Sequence, residues 1–158
     1  CIPIGIPNVN TLNPLLEKTI EKHTKKSNLL YVNFSLGTNK ERKEILNLLK
    51  EKIFDIHGGK SYEDFLNELS SFKFCVCPDG NGIDTHRVWE CLYLGVIPIV
   101  KKSTVFEQMS DLPIVMIDDW GDISRDFLEN TYKLFVSKKF NREKLSMEYW
   151  AYRILFTS

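Results

Sequence analysis

The sequence predicts an α/β fold, a doubly wound parallel sheet, on three observations. Short apolar, β-compatible runs recur at 29–34, 53–56, 73–77, 97–100 and 112–117. Between them lie segments with the i, i+3, i+4 apolar spacing of amphipathic helices. Gly, Pro, Asn and Ser mark most of the junctions. Strands that alternate with helices are joined by crossovers and therefore run parallel.

Taken in order, residues 1–10 read as extended and turn-rich, with Pro and Gly throughout. Asn13 can cap a helix with Pro14 at its first position, where a missing N–H costs nothing. Leu15, Leu16 and Ile20 give that helix a narrow apolar face. Lys25 and Lys26 end a charged stretch that reads as solvated. Residues 29–34 are a buried strand and 35–39 a loop. Helix 40–52 follows, with Ile45, Leu48 and Leu49 inward. Ser35, Thr38 or Arg42 could reach a ligand at this loop's edge of the sheet, although capping is the commoner work of Thr38 or Asn39. Residues 53–56 read as a short strand before Gly58-Gly59. Ser61 caps the next helix, 61–71, whose first turn carries Glu63 and Asp64 where the helix dipole favours them. Phe65, Leu66 and Leu69 face inward.

The central unit is strand, glycine loop, helix, strand. Pro78 stops the strand at 73–77, and Pro78-Asp79-Gly80-Asn81-Gly82 is turn chemistry. Asp84 or Thr85 can cap the helix that follows. Val88, Cys91, Leu92 and Gly95 share one face of it, and Gly95 closes it. Beyond the strand at 97–100, a short helix spans 105–109 and a strand 112–117. Ser124 caps a helix over 125–136, and a last amphipathic helix runs over 142–155. Residues 1–28 form a crossover segment and linker helix, and 29–158 form the domain. The opening Cys1-Ile2-Pro3-Ile4-Gly5-Ile6-Pro7 reads as entry into a domain, so a further N-terminal half is expected before it.

Composition narrows the function. The 158 residues are 43% hydrophobic and 27% charged, as in a soluble globular domain. Twenty-one Lys and Arg balance 21 Asp and Glu, so no overall field favours nucleic acid or an anionic membrane. No apolar run reaches the length of a membrane span. Of the four cysteines, Cys75 and Cys77 share one strand face, while Cys1 and Cys91 lie apart. That spacing is poor for zinc, and no further Cys/His pair completes a set. Buried, reduced thiols are expected, and with them a reducing, cytoplasmic compartment. A Golgi-lumenal or membrane-associated parent is the alternative. The glycosylation pattern Asn33-Phe34-Ser35 ends a strand and is read as chance.

Chemistry gathers on the other side of the central helix. His86, Arg87 and Glu90 lie off its apolar stripe near its N-terminus. Gly80, Asn81 and Gly82, with Asp84 and Thr85, lead into backbone N–H groups that can hold a diphosphate. Arg87 adds a forked cation suited to phosphate oxygens. Glu90 could accept both hydroxyls of a ribose, and Lys101 lies just past a strand at the correct edge. The plainer reading makes Arg87 and Glu90 a surface i, i+3 pair worth about 0.2–0.5 kcal/mol. His86 either donates to phosphate or caps and packs. Trp89 and Tyr93 read as packing residues. Asp118-Asp119 reads as a turn cap, not a metal site. No nucleophilic triad, catalytic base, metal or cofactor is indicated.

The run Cys-Pro-Asp-Gly-Asn-Gly-Ile-Asp-Thr-His-Arg-Val-Trp-Glu-Cys-Leu-Tyr-Leu-Gly-Val-Ile-Pro-Ile-Val, 77–100, resembles the signature of exostosin-type glycosyltransferases. Asp111-Leu112-Pro113-Ile114-Val115, Asp118-Asp119-Trp120, Lys144-Leu145 and Tyr149-Trp150 extend the likeness over roughly 29–150. It implies the C-terminal, Rossmann-like half of a two-domain GT-B enzyme that binds a nucleotide diphosphate sugar donor without a metal. The sugar would pass to a glycan or other hydroxyl acceptor. Arg87 would face the diphosphate and Glu90 the ribose, and any catalytic base would come from the other half. Asp79 departs from the pattern, standing where many relatives carry a basic or small residue. The rival reading is a non-catalytic nucleotide-binding or protein-interaction module. A third is a flavodoxin-like domain with another phosphate ligand.

Overall fold

The computed structural model describes Gly5 and residues 12–22, 24–52, 54–146, 149, 150, 152 and 155. Four strands form one parallel sheet: β1 (Asn28–Tyr31), β2 (Phe72–Val76), β3 (Ile97–Lys101) and β4 (Val115–Ile117), side by side in chain order. Leu30 lies opposite Phe74, Phe74 opposite Ile97, and Ile99 opposite Val115. Helices α1 (Leu12–Glu21), α3 (Tyr62–Leu69), α4 (His86–Tyr93) and α5 (Thr104–Glu107) share one core with Tyr31, Cys75 and Val100. Helices α2 (Glu41–Glu51) and α6 (Arg125–Ser137) share a second core with Leu30, Phe74, Val76 and Ile99. Burial on both faces explains why β2 and β3 read as nearly continuous apolar runs. The expected α/β architecture with helices on both faces is therefore present, and it is Rossmann-like.

The expected strand at 53–56 is reduced to a single parallel bridge between Ile56 and Val32, beside a 2.9 Å bond from the His57 N–H to the Val32 carbonyl. Asp55 and the Gly58-Gly59 pair leave too few apolar residues for a ladder. The register that sets Tyr31 opposite Cys75 occupies β1 on its β2 side, so Ile56 lies at the outer edge of β1. The chain thus runs from β1 outward to Ile56, then back past β1 to β2. This reversal between β1 and β2 is a switch point, and open α/β sheets bind ligands at the carboxyl ends of the strands there.

The caps at Ser61 and Ser124 follow the sequence, whereas α1 already starts at Leu12, so Asn13, expected as its cap, lies inside it. Ser61, Ser103 and Ser124 accept from Asp64, Phe106 and Phe127 N–H groups at the starts of α3, α5 and α6. Asn39 Oδ1 accepts from the Glu41 N–H at the start of α2, 3.0 Å away. Asp119 caps a 3-10 turn over Trp120–Asp122, and Asp122 returns a bond to the Asp119 N–H. The paired aspartates thus include a turn cap, as the sequence suggested. Residues 143–145 form a 3-10 turn where the last helix was expected to begin. Of the rest of that expected helix, only Ser146, Tyr149, Trp150, Tyr152 and Leu155 lie among the described residues, the last four of them helical. No helix among the described residues is long and apolar enough to cross a membrane.

Gly95 ends α4 at φ +64, and a Cβ placed there would meet nothing within 4 Å. Gly95→Ala should therefore cost about 1–2 kcal/mol through backbone strain alone. Gly58→Ala, also in open space but without a positive φ, should be close to neutral. Chemical denaturation of both variants checks the contrast.

Candidate functional site

The site region lies where the loops after β1 and β2 meet, and a buried arginine joins them. Arg42, 8% exposed, donates from Nε to the Asp79 carbonyl (2.7 Å), from Nη2 to Pro78 (3.0 Å) and from Nη1 to Ser35 (2.8 Å). Its fork is spent on three backbone carbonyls, so it builds the loops and is not a free ligand-binding cation. Its place on the stripe it shares with Ile45 and Leu49 is the sequence signal that it turns inward. Ser35 contributes its carbonyl to the same clamp, and Thr38 makes no cap, since Asn39 takes that role.

Gly80 has to be small for the loops to close. A Cβ there would lie 3.3 Å from Arg42 Nη2 and 3.4 Å from Thr85 Cγ2. The Gly80 N–H donates to the Gly82 carbonyl (2.9 Å), closing a tight loop whose Asn81 and Gly82 are exposed. Thr85 occupies the cap position of α4, as expected, yet its side chain makes no capping bond. Its Oγ1 is buried without a hydrogen-bond partner among the described residues. Asp84 accepts from the Trp89 indole N–H at 2.8 Å, which holds the loop to the second turn of the helix.

Arg87 and Glu90 are paired, but not on a solvated surface. Arg87 Nε donates to Glu90 Oε2 at 3.2 Å, Nη1 donates to the Asn33 carbonyl at 2.5 Å, and the guanidinium lies 4.1 Å from the centre of the Phe65 ring. Glu90 is 4% exposed, and its Oε1 accepts from the Tyr62 hydroxyl at 2.9 Å. Burial opposes the charge on Arg87, but negative charge at Cys75 and Glu90 outweighs it and holds the guanidinium firmly protonated. Burial, then the neighbouring Glu90 carboxylate, raises the Tyr62 hydroxyl well above its usual range. Arg87 therefore spans from α4 to the carboxyl end of β1, with a quarter of its side chain open, 24%. In this conformation Glu90 faces Tyr62 and Arg87 beneath the surface.

His86 Nδ1 lies 2.7 Å from the Gly5 carbonyl, so the ring ties Gly5 to α4. Lys101 ends β3, exposed, 4.0 Å from Glu41. Asp79, which sequence reasoning noted only as a departure, has its Oδ1 buried without a partner among the described residues. Burial and then Glu41 raise its carboxyl above the usual range, against the smaller pull of Lys101 and Arg42. A buried acceptor with no donor, beside a glycine loop, leaves one hydrogen bond to be filled.

Cys75, Cys77 and Cys91 are buried free thiols, as expected, while Cys1 lies outside the described residues. The sequence offers no further Cys/His pair to Cys75 and Cys77, and the fold adds one thiol. Helix α4 packs on β2 and brings Cys91 Sγ within 3.9 Å of Cys77 Sγ. Burial raises the Cys75 thiol, but hydrogen bonds from the other two thiols and the charge of Arg87 together pull it well below the usual range.

No family model matches the chain. A 54-residue segment, 34% of the chain, is 35% identical to a protein of Arabidopsis thaliana described as a probable glycosyltransferase. The match spans 10% of that protein's length. The likeness is to glycosyltransferases in general.

Two variants probe this architecture. Arg42→Met should cost about 2–4 kcal/mol, because the Ser35, Pro78 and Asp79 carbonyls, the second of them buried, lose a charged donor; thermal and urea melts read the loss. Asp79→Asn should stabilise the protein at pH 7. A carboxyl whose folded pKa is raised opposes folding once it ionises, so the gain should vanish as pH falls below its unfolded value of about 3.9. Urea melts across that range check the sign.

Proposed function

We propose that this domain holds the donor of a glycosyltransferase, a nucleotide diphosphate sugar whose sugar passes to a hydroxyl acceptor. The observation that carries the reading is convergence. The Gly80–Gly82 loop, the start of α4 and the Arg87 guanidinium meet at the carboxyl ends of β1 and β2, beside the reversal of strand order. The segment-level likeness to a glycosyltransferase supports the same reaction class. In this reading the diphosphate rests on the first-turn N–H groups of α4 and on Arg87, with Lys101 at the rim. Glu90 holds Arg87 in place, and a ribose reaches Glu90 once Arg87 shifts toward phosphate. Asp79 is offered to a hydroxyl of the donor. As the bond from the anomeric carbon to the leaving phosphate oxygen breaks, negative charge grows on that oxygen, and the helix dipole and guanidinium lie where it grows. The acceptor side and any catalytic base belong to an N-terminal half of the same enzyme.

The buried state of the Arg87–Glu90 pair favours one rival, a non-catalytic module in which both residues are structural. Calorimetry and thermal shift with uridine diphosphate, guanosine diphosphate, uridine and free hexoses separate the two. A diphosphate present at 100 times its Kd should stabilise the chain by about 2.7 kcal/mol, with no response to nucleoside or sugar alone. Arg87→Lys keeps a positive charge beside Glu90 but loses the fork, so it should weaken diphosphate binding tenfold or more while the fold persists. Arg87→Ala would leave Glu90 buried and unpaired, about 3–5 kcal/mol of lost stability, and would confuse the two effects. No response to any nucleotide would establish the module reading instead.

A further inference from the structure

We propose that Cys75, Cys77 and Cys91 form a three-thiolate site for a soft metal ion, copper(I) or a zinc-group divalent ion. Their sulfurs all lie within 4.8 Å of one another, and Cys77 Sγ and Cys91 Sγ are 3.9 Å apart. A metal held by three sulfurs in one plane at about 2.3 Å sets those sulfurs roughly 4 Å from each other. Small side-chain rotations therefore close the triangle.

The ligands come from two elements that the fold packs together. Cys75 lies on β2, Cys77 follows it, and Cys91 belongs to α4. All three are at most 2% exposed in an apolar core that includes Val88, Leu92 and Val100. The thiols' own contacts are weak. Cys75 Sγ lies 3.7 Å from the Val76 carbonyl, and Cys77 Sγ 3.6 Å from the Cys75 carbonyl. Three sulfurs without a carboxylate or imidazole select soft ions over magnesium or calcium.

With all three sulfurs bound as thiolates, a divalent ion leaves a site of net charge −1. The Arg87 guanidinium interacts electrostatically with all three cysteines and offsets that charge. The ion would join the end of β2 to the middle of α4, and burial places its loading at the folding step.

Cadmium(II) is the probe. The full chain, with Cys1→Ser to remove the remaining thiol, is refolded in a phosphine reductant with equimolar cadmium and then desalted. Expected are one retained cadmium per chain, an ultraviolet thiolate-to-metal charge-transfer band, a raised Tm, and no effect of magnesium. Cys91→Ala should abolish stoichiometric retention. Should that variant fail to fold, X-ray absorption on the loaded protein still decides, with three sulfurs expected around the metal. Desalted protein without cadmium, a metal shell of oxygen or nitrogen, or undiminished retention in folded Cys91→Ala would overturn the site. So would a Cys77–Cys91 disulfide formed in place of metal uptake. Cadmium retention reads no nucleotide, so this test and that of donor binding fail separately.

Discussion

One buried guanidinium holds the carboxyl edge of this sheet together. The loops leaving β1 and β2 carry carbonyls at Ser35, Pro78 and Asp79 that neither a helix nor a strand ladder satisfies. Buried backbone groups need partners, and Arg42 supplies three in one rigid fork. It does so from the first turn of α2, on the stripe that faces the core. The glycine loop, the approach to α4 and the small space at Gly80 all assume the position it sets.

Two like charges meet at that edge in a chain whose net charge is zero. Arg87 lies near enough to Arg42 to disfavour its charge, second only to burial. Such convergence is unfavourable for folding alone, since each guanidinium loses water and repels the other. It persists because carbonyls, the Glu90 carboxylate and the Phe65 ring share the load.

Much of the architecture was legible in the sequence, and the limits were physical. The four strands and the serine caps at Ser61 and Ser124 follow from local rules, and the structure keeps them. The bridge at Ile56 was legible as an apolar run, but ladder length depends on neighbours that a single segment does not reveal. Arg87 and Glu90 were legible as neighbours from their spacing. Their burial was not, because it comes from Tyr62 and Phe65 on α3 and from Asn33 after β1, all remote from α4 in sequence. The approach of Cys91 to Cys77 likewise depends on how α4 sits on β2. Arg42 shows the reverse: its stripe position was visible, yet charge alone suggested a ligand-binding role.

In the proposed donor site, the chain of contacts from Tyr62 through Glu90 and Arg87 to Asn33 would act as a latch. A ligand that draws the guanidinium outward abandons a carboxylate in the interior, with only a phenol hydroxyl left for company. A weak or singly charged visitor offers too little to compensate for that loss. A group with two adjacent phosphates offers more. Discrimination at such a threshold arises from what the empty protein has to surrender, and a snugger fit around the visitor would not reproduce it.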